Sequence, residues 1–126
     1  MPEYQKLRSS TGWNKLTDEV VAKSLTHDLF SVCVLDGKKP VGIGRVVGDG
    51  AIYFYIQDVI VLPEYKGRGI GRMIMEEIEK YLSKTAHHNS FIGLMAAEDT
   101  QPFYHRFEYH ERPPNAPGMF KHVKKQ

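Results

Sequence analysis

The segment Val61-Leu62-Pro63-Glu64-Tyr65-Lys66-Gly67-Arg68-Gly69-Ile70-Gly71-Arg72 joins a β-rich apolar run, Tyr53 to Leu62, to a helix-patterned segment, Ile70 to Leu82. It puts a basic, glycine-rich turn at a helix N-terminus. The first N–H groups of a helix have no intrahelical partner, and the peptide dipoles leave partial positive charge there. Gly67, Gly69 and Gly71 let the backbone approach a ligand with no Cβ in the way. Lys66, Arg68 and Arg72 add full charges, and no acid lies between Glu64 and Glu76 to offset them. Such a turn binds anions, and clustered phosphates suit it best. The plainer account is a strand-to-helix turn on a basic face.

Other residue types carry less. Asp58, next to Gln57, interrupts the apolar run Ile52 to Leu62. A polar pair there faces solvent by alternation or sits at a bulge. A carboxylate in a cleft can take a proton from an incoming ammonium, while a hydrogen-bonded structural Asp is the plainer account. The six histidines lack metal spacing: His87 and His88 are adjacent, and no His-x-x-x-His with a nearby carboxylate occurs. Cys33, in the run Phe30 to Leu35, has no patterned base partner and reads as a buried structural thiol.

The elements that must position these groups follow from periodicity. Residues 4–8 suggest a short strand. Thr17 is a good N-cap for a helix to about Leu25, with Asp18 and Glu19 in its first turn. Phe30 to Leu35, Val41 to Val47 and Ala51 to Leu62 read as three strands joined by turns at Asp36-Gly37 and Gly48-Asp49-Gly50, an antiparallel meander. Pro63 ends the third strand because it cannot donate to a ladder. Ile70, Met73, Ile74, Ile78, Tyr81 and Leu82 form a helical stripe opposite Glu76, Glu77, Glu79 and Lys80. Phe91 to Ala97 should return parallel to the third strand through a right-handed crossover. Gln101 to Phe107 reads as a short helix, and strands are expected to start near Tyr109 and over Met119 to Val123. The fold class is α+β: a mixed, mostly antiparallel sheet with a central βαβ unit and flanking helices.

Composition sets bounds. A chain of 126 residues is long enough for one domain with a single core. A net charge of +2 argues against nucleic acid as a partner. No apolar run approaches the roughly 18 residues of a membrane span. The start, Met1-Pro2-Glu3-Tyr4, has neither the basic nor the apolar region of a signal peptide. A single cysteine excludes an intrachain disulfide and fits a reducing compartment, so the cytoplasm is expected.

The order of features resembles the GNAT superfamily of N-acetyltransferases. The residues that carry it are Val61-Leu62-Pro63, then Lys66-Gly67-Arg68-Gly69-Ile70-Gly71, then an amphipathic helix, a strand, and Phe103-Tyr104. It covers roughly residues 30–110. A dinucleotide-binding fold would open with its glycine loop, but here a meander precedes it, and a Walker-A loop would need Gly-Lys-Ser/Thr. Two departures stand out. Glu108 occupies the position where the family's Tyr-x-x-[Leu/Phe]-Gly-Phe has glycine. The N-terminal region has room for one good helix where the family often has two.

The resemblance implies one N-acetyltransferase domain over residues 1–126 that uses acetyl-CoA as co-substrate and no metal. The residues from Lys66 to Arg72 would cradle its pyrophosphate. The backbone of Val59, Ile60 and Val61 would pair with the pantetheine arm like an added strand, and one N–H would hold the thioester carbonyl. Their side chains read as core. Tyr104 would be the general acid that protonates the leaving thiolate, unless it only anchors its helix. Asp58, or a water chain, would take the amine proton. Trp13, Phe30 and the loop Arg112 to Met119 would line the acceptor pocket. The implied reaction is direct transfer to a primary amine, taken as a small molecule. A protein N-terminus or lysine, or a non-catalytic CoA-binding module, are the alternatives. Edge strands near the C-terminus leave a homodimer open.

Overall fold

A computed structural model describes residues 2–125; Met1 and Gln126 lie outside the described residues. The elements are α1 (Pro2–Ser9), α2 (Asp18–Leu25), β1 (Phe30–Asp36), β2 (Lys39–Gly48), β3 (Tyr53–Val61), a 3₁₀ turn (Pro63–Tyr65), α3 (Ile70–Thr85), β4 (Phe91–Gly93) and α4 (Gln101–His105). The sheet order is β1-β2-β3-β4. The β1–β2 and β2–β3 ladders are antiparallel and β3–β4 is parallel, with α3 as the crossover. This is the expected meander joined to a βαβ unit. The chain forms two compact units, Met1–Met95 and Ala96–Gln126; the first holds the sheet and α1 to α3, the second holds α4.

In the first unit β2 is buried from Val41 to Val46, because both of its faces are covered. Gly42 and Gly44 let α3 lie close on one face: a Cβ at Gly42 would fall 2.8 Å from Ile70 Cγ2, and one at Gly44 2.5 Å from Ile74 Cγ2. There Ile74, Met75, Ile78 and Leu82 pack with Val46, Phe54 and Ile56 in the core. Each such fully buried side chain contributes about 1.5–3 kcal/mol. Leu7 of α1 and Val21 of α2 are buried too, and α1 contacts β2 and β3. Thr17 caps α2 as expected, its hydroxyl oxygen accepting from the Val20 N–H.

A β-bulge decides what β3 presents. Ile43 pairs with Ile60 and Arg45 with Gln57, so Gly44 alone faces both Asp58 and Val59. Asp58 takes a left-handed φ of 56° to make this fit. The bulge reverses the alternation of side chains: Ile56 pairs with Val46, whereas Ile60, four residues later, pairs with Ile43 on the other face. Gln57 and Asp58 therefore share one face. The parallel ladder to β4 stops at Tyr55–Gly93, so β3 beyond Tyr55 has no partner on β4.

Several expectations change. Residues 4–8 lie in helix α1, because Tyr4, Leu7 and Arg8 reach inward together at i, i+3, i+4 spacing, which no strand could achieve. The N-terminal region thus holds two helices. β3 starts at Tyr53 rather than Ala51, since the Asp49 carboxylate accepts from the N–H groups of Ala51, Ile52 and Tyr53 at 2.8–3.0 Å and shapes the turn. β4 ends at Gly93 instead of Ala97, because its pairing with β3 stops at Tyr55 while β3 itself continues to Val61. Among the described residues no strand follows it, so the C-terminal edge strands are not formed, and Met119, Phe120 and Val123 are exposed. Cys33 is exposed rather than buried, because it lies on the outer side of edge strand β1.

In the second unit, α4 ends in a Schellman turn. The Glu108 N–H donates to the His105 carbonyl and the Tyr109 N–H to the Tyr104 carbonyl, with Glu108 left-handed at φ 69°. The conformation that favours glycine is retained although the residue is glutamate.

Candidate active site

The turn after β3 is held from two sides. Pro63 begins the 3₁₀ turn, and the Tyr65 N–H bonds the Leu62 carbonyl at 2.9 Å. The Tyr65 hydroxyl donates to Asp36 Oδ2 at 2.6 Å, which ties the turn to the β1–β2 hairpin and raises the phenol above its ordinary value. The Tyr65 ring carries the Arg68 guanidinium at 5.0 Å and the Lys39 ammonium at 5.4 Å. Thus a lysine from the hairpin joins the basic turn.

Gly67 and Gly69 both have φ 80°, and a Cβ at either would meet nothing within 4 Å. The glycines are needed for the backbone path, and the space beside them is open. Gly69 is the N-cap of α3 and offers no side-chain cap. The N–H groups of Ile70, Gly71 and Arg72 start the helix and have no acceptor within it. The Ile70 side chain is buried, so it contributes backbone alone. Lys66 is exposed. Arg72 forms an exposed pair with Glu76 at 3.3 Å. Pairs of this kind are worth about 0.2–0.5 kcal/mol, little enough for an incoming phosphate to displace. Backbone, open space and charge together fit a diphosphate.

Asp58 sits in a different environment from an open cleft. It is 3% exposed, and its Oδ2 accepts from Arg45 Nη1 at 2.8 Å and from the Tyr4 hydroxyl. Its Oδ1 accepts from Gln57 Nε2 at 2.9 Å and lies 3.7 Å from Arg8 Nη1. Arg45, 6% exposed, also bonds Asp28 Oδ1 through Nε at 2.8 Å and Ser24 Oγ through Nη2 at 3.0 Å. Burial alone would lower the guanidinium, but the hydrogen bonds to Asp28 and Asp58 outweigh it and raise it. Tyr4 is raised by burial and by its bond to Asp58. The carboxylate is thus a paired, buried anchor.

Trp13 and Phe30 do not share a pocket wall. Phe30 stacks on Tyr81 of α3 at 4.8 Å. Trp13 carries the Arg8 guanidinium at 5.2 Å and borders a cavity of about 230 Å³ with Gln5, Lys15 and Asp18. In the second unit, Tyr104 lies half-buried on α4 against Phe103, and burial raises its phenol above the ordinary value. It stays protonated at neutral pH. Arg45, Tyr4 and Lys39 were missed by sequence reasoning. Arg45 alone left a signal, a single charge inside the apolar run Val41 to Val47.

Residues 27–111 match the model of the acetyltransferase (GNAT) domain. The chain belongs to the GNAT acetyltransferase family. A crystal structure from meticillin-resistant Staphylococcus aureus, described as a protein of unknown function and "Probable Acetyltransferase", is similar with a TM-score of 0.91 and 33% identity over 97% of this chain and 92% of that one. An uncharacterised N-acetyltransferase of Porphyra purpurea is 28% identical over 94% of this chain and 69% of its own length. The chloroplastic GCN5-related N-acetyltransferase 2 of Arabidopsis thaliana is 33% identical over 69% of this chain and 33% of its own length. The GNAT domain described here has no helix, among the described residues, long and apolar enough to cross a membrane.

Proposed function

We propose that this GNAT domain, residues 1–126, moves an acetyl group from acetyl-CoA to a primary amine, with a small molecule as the acceptor. The observation that carries the reading is the open turn at Gly67 and Gly69, which leads into the uncapped N-terminus of α3. In this reading acetyl-CoA supplies an acyl group activated as a thioester. The N–H groups from Gly67 to Arg72 hold its pyrophosphate, and Lys66, Arg68 and Arg72 offset the charge. The β3 backbone at Val59, Ile60 and Val61, free of β4, pairs with the pantetheine arm, and one N–H polarises the carbonyl.

The neutral amine attacks the carbonyl carbon, its nitrogen loses its surplus proton to water, and the carbon–sulfur bond breaks. Tyr104 gives its proton to the sulfur and regains one from solvent. Because Asp58 is occupied by Arg45, Tyr4 and Gln57, water takes the ammonium proton, and Asp58 serves the strand instead. Trp13 borders the acceptor, while Phe30 supports α3. The reading includes neither nucleic acid nor membrane as a partner, nor a metal. It places the chain in the cytoplasm, which suits the exposed free Cys33, and the word "chloroplastic" in the plant relative's name makes an organelle the competing location. A homodimer stays a proposal that sedimentation would test.

Calorimetric titration with acetyl-CoA and with CoA tests the reading. Micromolar binding that weakens with salt supports it, and no binding by the folded protein overturns it. Thiol release with a panel of small amines, lysine peptides and N-terminal peptides then separates the acceptors. Binding without turnover on any of them would mark a CoA-binding module.

A further inference from the structure

We propose that Arg45 is a positioning residue for the acyl-transfer strand: its buried guanidinium holds the Asp58 bulge and thereby aims the Val59–Val61 backbone. The proposal rests on the acetyl-CoA reading above. Three observations carry it. Asp58 adopts a left-handed φ of 56° inside a strand, a conformation that L side chains rarely take and that something must hold. The same carboxylate is gripped at both oxygens, by Arg45 and Tyr4 at one and by Gln57 at the other. Arg45 in turn reaches Asp28 and Ser24, so all three guanidinium nitrogens are engaged.

Among the described residues no buried side-chain nitrogen or oxygen lacks a hydrogen-bond partner, so the cluster is complete. An apolar pair would fill this space without desolvating charge, and a buried ion pair is weak evidence for stability. What the ionic cluster adds is direction. Guanidinium and carboxylate fix each other's orientation, and Asp58 passes that orientation to its own backbone. The bulge reverses side-chain alternation just before Val59, beyond the last residue of β3 that pairs with β4. Without the grip, Asp58 can relax toward ordinary extended backbone. The Val59 to Val61 N–H groups would then rotate away from the positions an acyl arm needs.

The experiment compares Asp58→Asn and Arg45→Lys with the unaltered protein in two ligand titrations and in amide NMR spectra. Asparagine keeps the size of Asp58 and tolerates positive φ, but removes the charge. Acetyl-CoA reaches the strand, whereas ADP carries a pyrophosphate without the pantetheine arm. The expected result is about tenfold weaker acetyl-CoA binding with ADP binding unchanged, and amide shifts at Gln57 to Ile60 with α3 undisturbed. Equal losses for both ligands, or no change in either in a folded variant, would overturn the proposal. Should both variants fail to fold, Tyr4→Phe removes one hydroxyl from the cluster and is judged by the same differences. If the unaltered protein binds neither ligand, the acetyl-CoA reading has failed. The positioning claim is then decided by the amide shifts alone, and unmoved Gln57 to Ile60 signals sink it.

Discussion

In the proposed reaction, a tyrosine that gives up a proton and a glycine that lets a phosphate come close make opposite demands on their surroundings. Tyr104 is half-buried, and burial raises its phenol, so the proton is present at working pH. Tyr104→Phe keeps the ring and removes the proton. It is expected to lower kcat by about 100-fold or more while leaving CoA affinity near its original value. Thiol release and calorimetry check the two halves, and equal losses in both would end the acid assignment. Gly69 has no Cβ neighbour to clash with, so its constraint is conformational. Gly69→Val has to hold a left-handed φ, at about 1–2 kcal/mol, and projects methyl groups into the phosphate space. Acetyl-CoA binding should be lost in a protein that still unfolds cooperatively in urea; undiminished affinity would remove the cradle.

At the scale of elements, caps and glycines decide where helices start and stop. The end of α4 has the hydrogen bonds of a Schellman turn, yet Glu108 supplies its left-handed residue. Glu108→Gly should stabilise the protein by about 1 kcal/mol, since glycine has no Cβ to oppose that conformation. A urea melt with an unchanged or lower midpoint would show that the glutamate side chain compensates. The short helices α1 and α2 owe their place to partners. Leu7 and Val21 are buried, and the polar side chains Tyr4 and Ser24 meet at Arg45.

For the molecule as a whole, raised phenols set the alkaline limit: Tyr65 through its bond to Asp36, and three others through burial. Tyr4, Tyr55 and Tyr104 are all raised, each with burial as the first cause. The folded chain holds these protons more tightly than the unfolded one. Their contribution to stability is therefore complete below the ordinary tyrosine value of 10.0 and is lost as pH rises from there through the raised folded values. Urea midpoints should be flat through neutral pH and fall above pH of about 10. A decline that begins near pH 8 would point to other groups.

Local patterns determined the helix α3, the meander, the crossover and the basic glycine turn, because each depends on spacing within a dozen residues. The 3.6-residue stripe of Ile70 to Leu82 leaves few other structures open, and Pro63 followed by glycines dictates a break after β3. Residues 4–8 are too few to fix a period, and only the inward face of Tyr4 and Leu7 selects the helix. β4 proved short because a strand extends only as far as its neighbour pairs. Arg45 meets Asp28, Ser24, Tyr4 and Asp58 across as many as 41 residues of chain, and no local pattern encodes that meeting. The sequence alone determined that a basic, glycine-rich turn follows a strand. Tertiary packing alone decided that Asp58 is an anchored bulge, because burial and pairing are properties of neighbours that spacing cannot specify.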